Sequence, residues 1–342
     1  MKMIRLLLVI TFVALLSTCA SVDTQPKSSG LFWPSSVSPK ISFVQSFSTP
    51  DELGIGRSFW QWVGDVVFGG DETHMVRPMD VVTVGSHLIY VADPGVRGVH
   101  RFDTRDQSYH LIQAKDAFEL PSPVALAADK NGNVYVSDSE LAQLFVIRKD
   151  TEVAVPVVLD EVLQQPTGLA IDNSRDNNSG DIYLLDTPQH QVLVFTAAGQ
   201  LKKRIGQRGI KAGEFNFPTH IQIKNNTLMV TDSLNFRIQL FDLSGNYLSG
   251  FGQAGQSSGH LSRPKGIAMD KAEHIYVVDG LLNNIQLFDR GGQLLMSVGE
   301  QGQQPGQFWL PTGIHINEQQ KIYVADSHNR RVQVFRYNGN AL

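Results

Sequence analysis

Six times along this chain a proline opens a short apolar strand and a second strand ending in aspartate follows, as in Arg263-Pro264-Lys265-Gly266-Ile267-Ala268 and then Ile275-Tyr276-Val277-Val278-Asp279. The aspartates are Asp93, Asp138, Asp186, Asp232, Asp279 and Asp326, at steps of 45, 48, 46, 47 and 47 residues. Nine residues after each stands the apolar end of a third strand, at Phe102, Ile147, Phe195, Phe241, Phe288 and Phe335. Three copies then run through a glycine turn into a fourth strand closed by glycine, as in Gly245-Asn246-Tyr247-Leu248-Ser249-Gly250-Phe251-Gly252. One small sheet is thus built repeatedly. A sheet of four short strands cannot bury both of its faces alone, so each copy has to pack between two neighbours.

Four short strands in roughly 40–50 residues is the period of a propeller blade. The expected fold is all-β, a six-bladed β-propeller of four-stranded antiparallel blades. Closing the ring removes the exposed end blades. The sixth copy reaches Tyr337-Asn338-Gly339-Asn340-Ala341-Leu342 with no fourth strand, while Ile41-Ser42-Phe43-Val44-Gln45-Ser46-Phe47 reads as a fourth strand without the three that should precede it. The expectation is that this N-terminal strand completes the last blade. The repeats run unbroken from about Pro78 to Phe335, so 41–342 is assigned as one large domain.

Lys2 and Arg5 precede the apolar run from Leu6 to Leu16, the charge and length pattern of a secretory signal. The segment Leu16-Ser17-Thr18-Cys19-Ala20, which holds the only cysteine of the chain, resembles a bacterial lipoprotein box, with Thr18 where that family usually has Gly, Ala or Ser. The resemblance implies a signal peptide over 1–18, diacylglycerol on the Cys19 thiol and acylation of the new amine. Several acyl chains hold a protein on a membrane far longer than one does. Ala20 after the cysteine is similar to the pattern for outer-membrane sorting. The chain is therefore expected to be exported and lipid-anchored at a bacterial outer membrane. Residues 19–40, rich in Ser and Pro, read as a flexible tether, with Leu31-Phe32-Trp33-Pro34 as an aromatic clip that docks on the propeller or awaits a partner. A formal net charge of −4 offers no basic field for nucleic acid.

The pattern Pro-x-Gly-Ile-x-x-Asp, then Ile-Tyr-Val-x-Asp-Ser-x-Asn-x-Arg-Ile-Gln-x-Phe, resembles the NHL repeat. It is sharpest at Val230 to Phe241 and at Tyr323 to Phe335. The family holds lyases, RNA binders and protein-binding modules, so function has to come from the site. The amidoglycolate lyase of this family is similar in fold but holds zinc with histidines directly after the opening prolines. Here those positions are Met79, Val124, Thr167, Thr219, Lys265 and Thr312, none of them an imidazole.

Propeller ligands usually sit at the channel mouth, where the loops after the opening proline and after the aspartate meet. Asp80, His220 and Lys265 come from the first set and Arg97, His190, Phe236, Arg237, Asn283, His328, Asn329 and Arg330 from the second; together they form the candidate binding rim. His315, like Gln222 in its own copy, replaces a recurring alanine and reads as a hydrogen-bonded packing residue. The six aspartates read as turn caps. No cofactor is expected; the alternative is a divalent cation such as calcium. Asp172 to Asp181 faintly resembles a calcium loop but lacks its closing glutamate. An insert unmatched elsewhere carries Phe59, Trp60 and Trp62, either a plug between first and last blades or a partner patch. These readings point to a monomeric, non-catalytic binding or scaffolding module for a protein partner at the envelope. The alternative is a hydrolase- or lyase-type enzyme acting on a small or peptide substrate at the channel mouth with a divalent ion.

Overall fold

The computed structural model describes residues 31–33, 40–56, 74–114, 119–174 and 180–338. Cys19, the signal segment and the aromatics Phe59, Trp60 and Trp62 lie outside the described residues. Two strands, β1 (Phe32–Trp33) and β2 (Ile41–Phe47), come before six repeated units. Unit one holds β3 (Asp80–Val84), β4 (Leu88–Asp93), β5 (Gly98–Asp103) and β6 (Ser108–Ala114). Unit two holds β7 (Pro123–Ala128), β8 (Val134–Asp138), β9 (Gln143–Ile147) and β10 (Val153–Pro156). Unit three has β11 (Pro166–Ile171), β12 (Ile182–Asp186), β13 (Gln191–Phe195) and β14 (Leu201–Ile205), and unit four β15 (His220–Lys224), β16 (Thr227–Asp232), β17 (Arg237–Asp242) and β18 (Tyr247–Phe251). Unit five has β19 (Pro264–Met269), β20 (Ile275–Asp279), β21 (Asn284–Phe288) and β22 (Leu294–Val298); unit six has β23 (Ile314–Ile316), β24 (Lys321–Asp326) and β25 (Arg331–Tyr337).

Units three, four and five are four-stranded antiparallel sheets in chain order. The other three depart from six separate four-stranded sheets. Units one and two share an eight-stranded sheet, because their fourth strands β6 and β10 pair in parallel at Val153↔Gln113 and Ala154↔Ala114. The pairing covers two outer edges whose N–H and C=O groups would otherwise stay open. In unit six β2 lies antiparallel to β25, with Phe43 opposite Phe335, Gln45 opposite Val334 and a bulge between them. Phe32 and Trp33, expected in the tether, form β1 and pair with Ser42 and Ile41 of β2. The Trp33 ring stands edge-on to Phe335 at 5.8 Å, so that sheet has five strands.

The first strands follow one another in a circle: β3 touches β7, β7 touches β11, and so on through β15 and β19 to β23, which touches β3. The core sits between successive units. Tyr183 and Val192 of unit three pack with Leu228 and Phe241 of unit four, and Tyr276 and Leu287 of unit five pack with Ile322 and Phe335 of unit six. The seam between units six and one is filled in the same way by Tyr323, Val332 and Val334 against Val81, Ile89 and Phe102, with Phe47 of β2 added. Each such Leu, Ile or Phe side chain removed from water contributes about 1.5–3 kcal/mol, so the seams hold the units together.

Glycines closing the fourth strands are set by this packing. Gly206 and Gly299 have φ of 86° and 91°, and a Cβ on either would lie 2.2 or 2.4 Å from the ring of Phe215 or Phe308. Those phenyl groups plug the base of the loop leading into the next unit, and only a residue without Cβ leaves them room.

Candidate functional site

The residue two positions after each opening proline is Asp80, Ala125, Gly168, His220, Gly266 or Gly313. Four of the six are small because the first strands approach closely here. A Cβ on Gly313 would lie 2.3 Å from Asp80 Oδ1, and one on Gly168 would lie 3.1 Å from His220 Cα. The space goes to Asp80 and His220, which come from units three steps apart around the circle yet approach to 3.8 Å between Oδ1 and Nε2. Asp80 is buried, and its oxygens accept N–H bonds from Val81 and, in the next unit, Leu126, both at 2.9 Å. Nδ1 of His220 accepts from Ile267 N at 3.4 Å. These two side chains form a polar layer across the channel.

On one side of that layer is a cavity of about 610 Å³ lined by the first strands and by the turns that follow them, including Gly85, Gly132 and Asn317. Of the rim expected from the sequence, Asp80 and His220 line this cavity, whereas the residues that follow the aspartates belong to the loops at the opposite end. Within the cavity His315 Nε2 meets Thr83 Oγ1 at 3.0 Å across the seam of units six and one. Gln222 Oε1 accepts from Met269 N at 2.7 Å across the seam of units four and five. Burial lowers the His315 pKa to about 4, with Lys224 adding to the effect and Asp80 opposing it, so the imidazole is neutral near pH 7.

At the loop end, Arg97, His190, Phe236, Asn283 and Arg330 occupy one repeated position, four residues after the aspartate, each with φ between 53° and 56°. Two of them are latches. His190 Nδ1 accepts from Phe217 N at 3.1 Å, and Asn283 Oδ1 accepts from Leu310 N at 2.8 Å, each reaching into the following unit. Burial and the Arg208 guanidinium lower the His190 pKa, which suits an acceptor nitrogen. Phe236 packs against the core between units four and five. Arg97 is paired with Glu119, and Arg330 is exposed.

Arg237 is not an open rim residue. Its Nε donates to Asp232 Oδ2 at 2.8 Å and its terminal nitrogens to the carbonyls of Ile210, Lys211 and Glu214, tying down the loop before β15. Asn329 does similar work through Gly302 O and Asp326 Oδ2, at 2.8 and 2.9 Å. Two partners the sequence reading left out, Arg331 and Gln333, complete that network on Asp326. Their signal was present, since Arg237 and Gln239 stand at the same offsets from Asp232.

The aspartates cap their turns and also hold the loop in front of each first strand. Asp93 accepts from Gly95 N after it and from Val76 N and Arg77 N before β3. Asp279 does the same with Leu281, Ser262 and Arg263. Burial alone would raise the Asp93 pKa, but the bonds from His100 and from the Val76 and Arg77 amides outweigh it and the net shift is downward. Among the described residues no group of three His, Cys, Asp or Glu side chains is placed to hold a metal ion. Part of the 172–181 insert lies outside the described residues; Asp172 accepts from Ser174 N and Asp181 pairs with Lys202.

Two kinds of side chain remain available at the loop end. Lys265 is half-buried, its pKa lowered by burial and by Arg263, with no carboxylate partner among the described residues. On the loops of units four to six at the same end are apolar groups: Phe217 is 41%, Leu234 51%, Leu281 55% and Trp309 40% exposed, and the ring of His328 packs 5.5 Å from Trp309. Leu234, Leu281 and His328 are the same position, two after the aspartate. Of these, only His328 belongs to the rim expected from the sequence; the two leucines and Trp309 do not.

A family profile described as 6-bladed beta-propeller matches residues 170–252, and one described as NHL repeat matches residues 308–335. Among curated proteins, 123 residues are 26% identical to the protein brain tumor of Drosophila melanogaster, covering 35% of this chain and 11% of that one. Among solved structures, virginiamycin B lyase from Staphylococcus aureus superposes with a TM-score of 0.55 at 15% identity, over 76% of this chain and 95% of that one. An auxiliary nutrient binding protein from Bacteroides thetaiotaomicron gives 0.61 at 13% identity, over 79% and 71%. The chain has a propeller fold and carries an NHL repeat. At such identities the structural likeness shows the fold alone.

Proposed function

We propose that this chain is a lipid-anchored envelope protein whose loop-bearing face binds a protein partner without catalysing a reaction. Residues 1–18 act as a signal, Cys19 carries the lipid, and the remainder of 19–40 tethers a six-bladed ring closed by β2. The register of β2 on β25 and the circle of first strands support the closed ring.

The observation that carries the binding reading is the apolar arc of Phe217, Leu234, Leu281 and Trp309 on units four to six, beside Lys265, Arg263 and Arg330. Exposed Trp and Phe flanked by Arg on a rigid scaffold are the composition of interface anchors, and the two leucines add apolar area beside them. The remaining polar groups of the loops are engaged in holding the loops, as Arg237, Asn283 and Asn329 show.

The test is crosslinked capture from detergent-solubilised membranes with Cys19 intact. A Leu234→Glu/Leu281→Glu/Trp309→Ala chain should lose a partner that the parent retains, while keeping the parent's thermal transition. Trp309→Ala alone should weaken that complex by about 2 kcal/mol or more. A partner retained equally by the triple variant would refute the face, and a Cys19→Ser chain still fractionating with membranes would refute the anchor.

A further inference from the structure

At the loop end, units three and four carry hydroxyls both after the opening proline and after the aspartate, and these chain outward to the following unit. Thr167 Oγ1 lies 2.6 Å from Thr187 Oγ1, which donates to Pro218 O at 2.7 Å. Thr219 Oγ1 lies 2.6 Å from Ser233 Oγ, which donates to Pro264 O at 2.8 Å. Unit five has Lys265 and Gly280 in these two places. The exchanges fit each other. A Cβ on Gly280 would lie 3.6 Å from Lys265 Cγ and 3.2 Å from Pro311 O, so the lysine stem passes the place where a serine would stand, and Pro311 O lacks the hydroxyl donor that its counterparts have.

The Lys265 ammonium has no hydrogen-bond acceptor and no carboxylate partner among the described residues. Burial and the Arg263 guanidinium both lower its pKa, and no carboxylate acts in the other direction. The neighbouring charges do not supply one. Arg237 and Arg331 are held by Asp232 and Asp326, and Lys211 is set against Glu214, which accepts its backbone N–H. In the loops leading into units four to six and the turns after their aspartates, that leaves Arg208, Arg263, Lys265 and Arg330 against Asp279 and Glu300. The chain as a whole has a formal net charge of −4, so this positive excess is local. Each turn beside the lysine also bears an exposed leucine: Leu234 follows the serine bonded to Pro264 O, and Leu281 follows Gly280.

We propose that the partner of this face presents an Asp or Glu carboxylate that enters the channel mouth and pairs with Lys265, flanked by apolar residues that cover Leu234 and Leu281. The inference rests on the partner-binding reading and names the chemistry that reading requires. In the free chain the half-buried ammonium is still reached by water. A partner seated on the two leucines takes that water away, and a charge covered without an opposite charge costs several kcal/mol. A neutral carbonyl would satisfy one N–H but leave Lys265 and Arg263 repelling each other in a drier site, whereas a carboxylate answers both.

Carbodiimide coupling on membranes carrying the full chain tests the inference, because the reagent joins an amine to a carboxylate only where the two already touch. Mass spectrometry of the captured complex should find Lys265 in an isopeptide bond to an Asp or Glu of a second polypeptide. With that polypeptide purified, Lys265→Met should weaken the complex at least about thirtyfold, and Lys265→Arg, which keeps the charge, should lose less. Lys265→Met should leave the unfolding midpoint of the free chain unchanged or higher, since nothing in that chain pairs the charge it removes. A complex in which Lys265 stays uncoupled, or which is indifferent to Lys265→Met, would overturn the carboxylate and leave the binding face standing. Absence of any complex with the parent chain would overturn both.

Discussion

At the residue scale, Asp232 collects donors from three directions: the Asn216 amide, the Asn235 side chain and the Arg237 guanidinium, with Gln239 behind them. Replacing it by Ala leaves a largely buried Arg237 without its counter-charge, and the loss should be about 3–5 kcal/mol in urea denaturation. A cost under about 1 kcal/mol would mean the network is ornamental. His315 makes a pH prediction. Its pKa falls from 6.5 to about 4 on folding, so the unfolded chain takes up the proton first as pH drops. The stability contributed by the neutral ring is complete above pH 6.5 and is lost progressively down to about pH 4. His315→Gln, which can still meet Thr83, should flatten that slope; an unchanged slope between the two proteins would assign it to other groups.

At the element scale, the recurring glycines separate into two kinds that the sequence presents alike. Gly299 supports a phenyl ring, whereas Gly213, with φ of 79°, has nothing within 4 Å of its missing Cβ. Gly213→Ala should cost only the left-handed backbone penalty, about 1–2 kcal/mol. Gly299→Ala should cost that plus about 1–3 kcal/mol for displacing Phe308, read as a lower midpoint in thermal unfolding. Equal midpoints would show that the ring yields freely. The strands, the period and the aspartate caps were legible because each is a local pattern repeated at a fixed offset. The shared sheet of units one and two was not, since pairing of β6 with β10 depends on where two outer edges meet in space. Nor was the polar layer: Asp80 and His220 standing where three other copies have glycine and one has alanine were its traces, and no spacing rule indicates that the two would meet. Arg237 and Asn329 read as rim residues because side-chain type cannot show that a loop carbonyl is already waiting for them.

At the scale of the whole molecule, the Asp80–His220 layer requires a rigid ring, because it holds only while units one and four are kept opposite each other. Open at the seam of units six and one, the chain would expose β25 as an edge and release Phe47 from Phe102, which it now meets edge-on at 5.5 Å. Cysteines placed at Ser42 and Arg336, register partners across β2 and β25, in a chain with Cys19→Ser, test closure directly. Mild oxidation should link them within one molecule, in high yield and independent of protein concentration, and raise the unfolding temperature. Free thiols after oxidation, or linkage only between molecules, would contradict the closed ring.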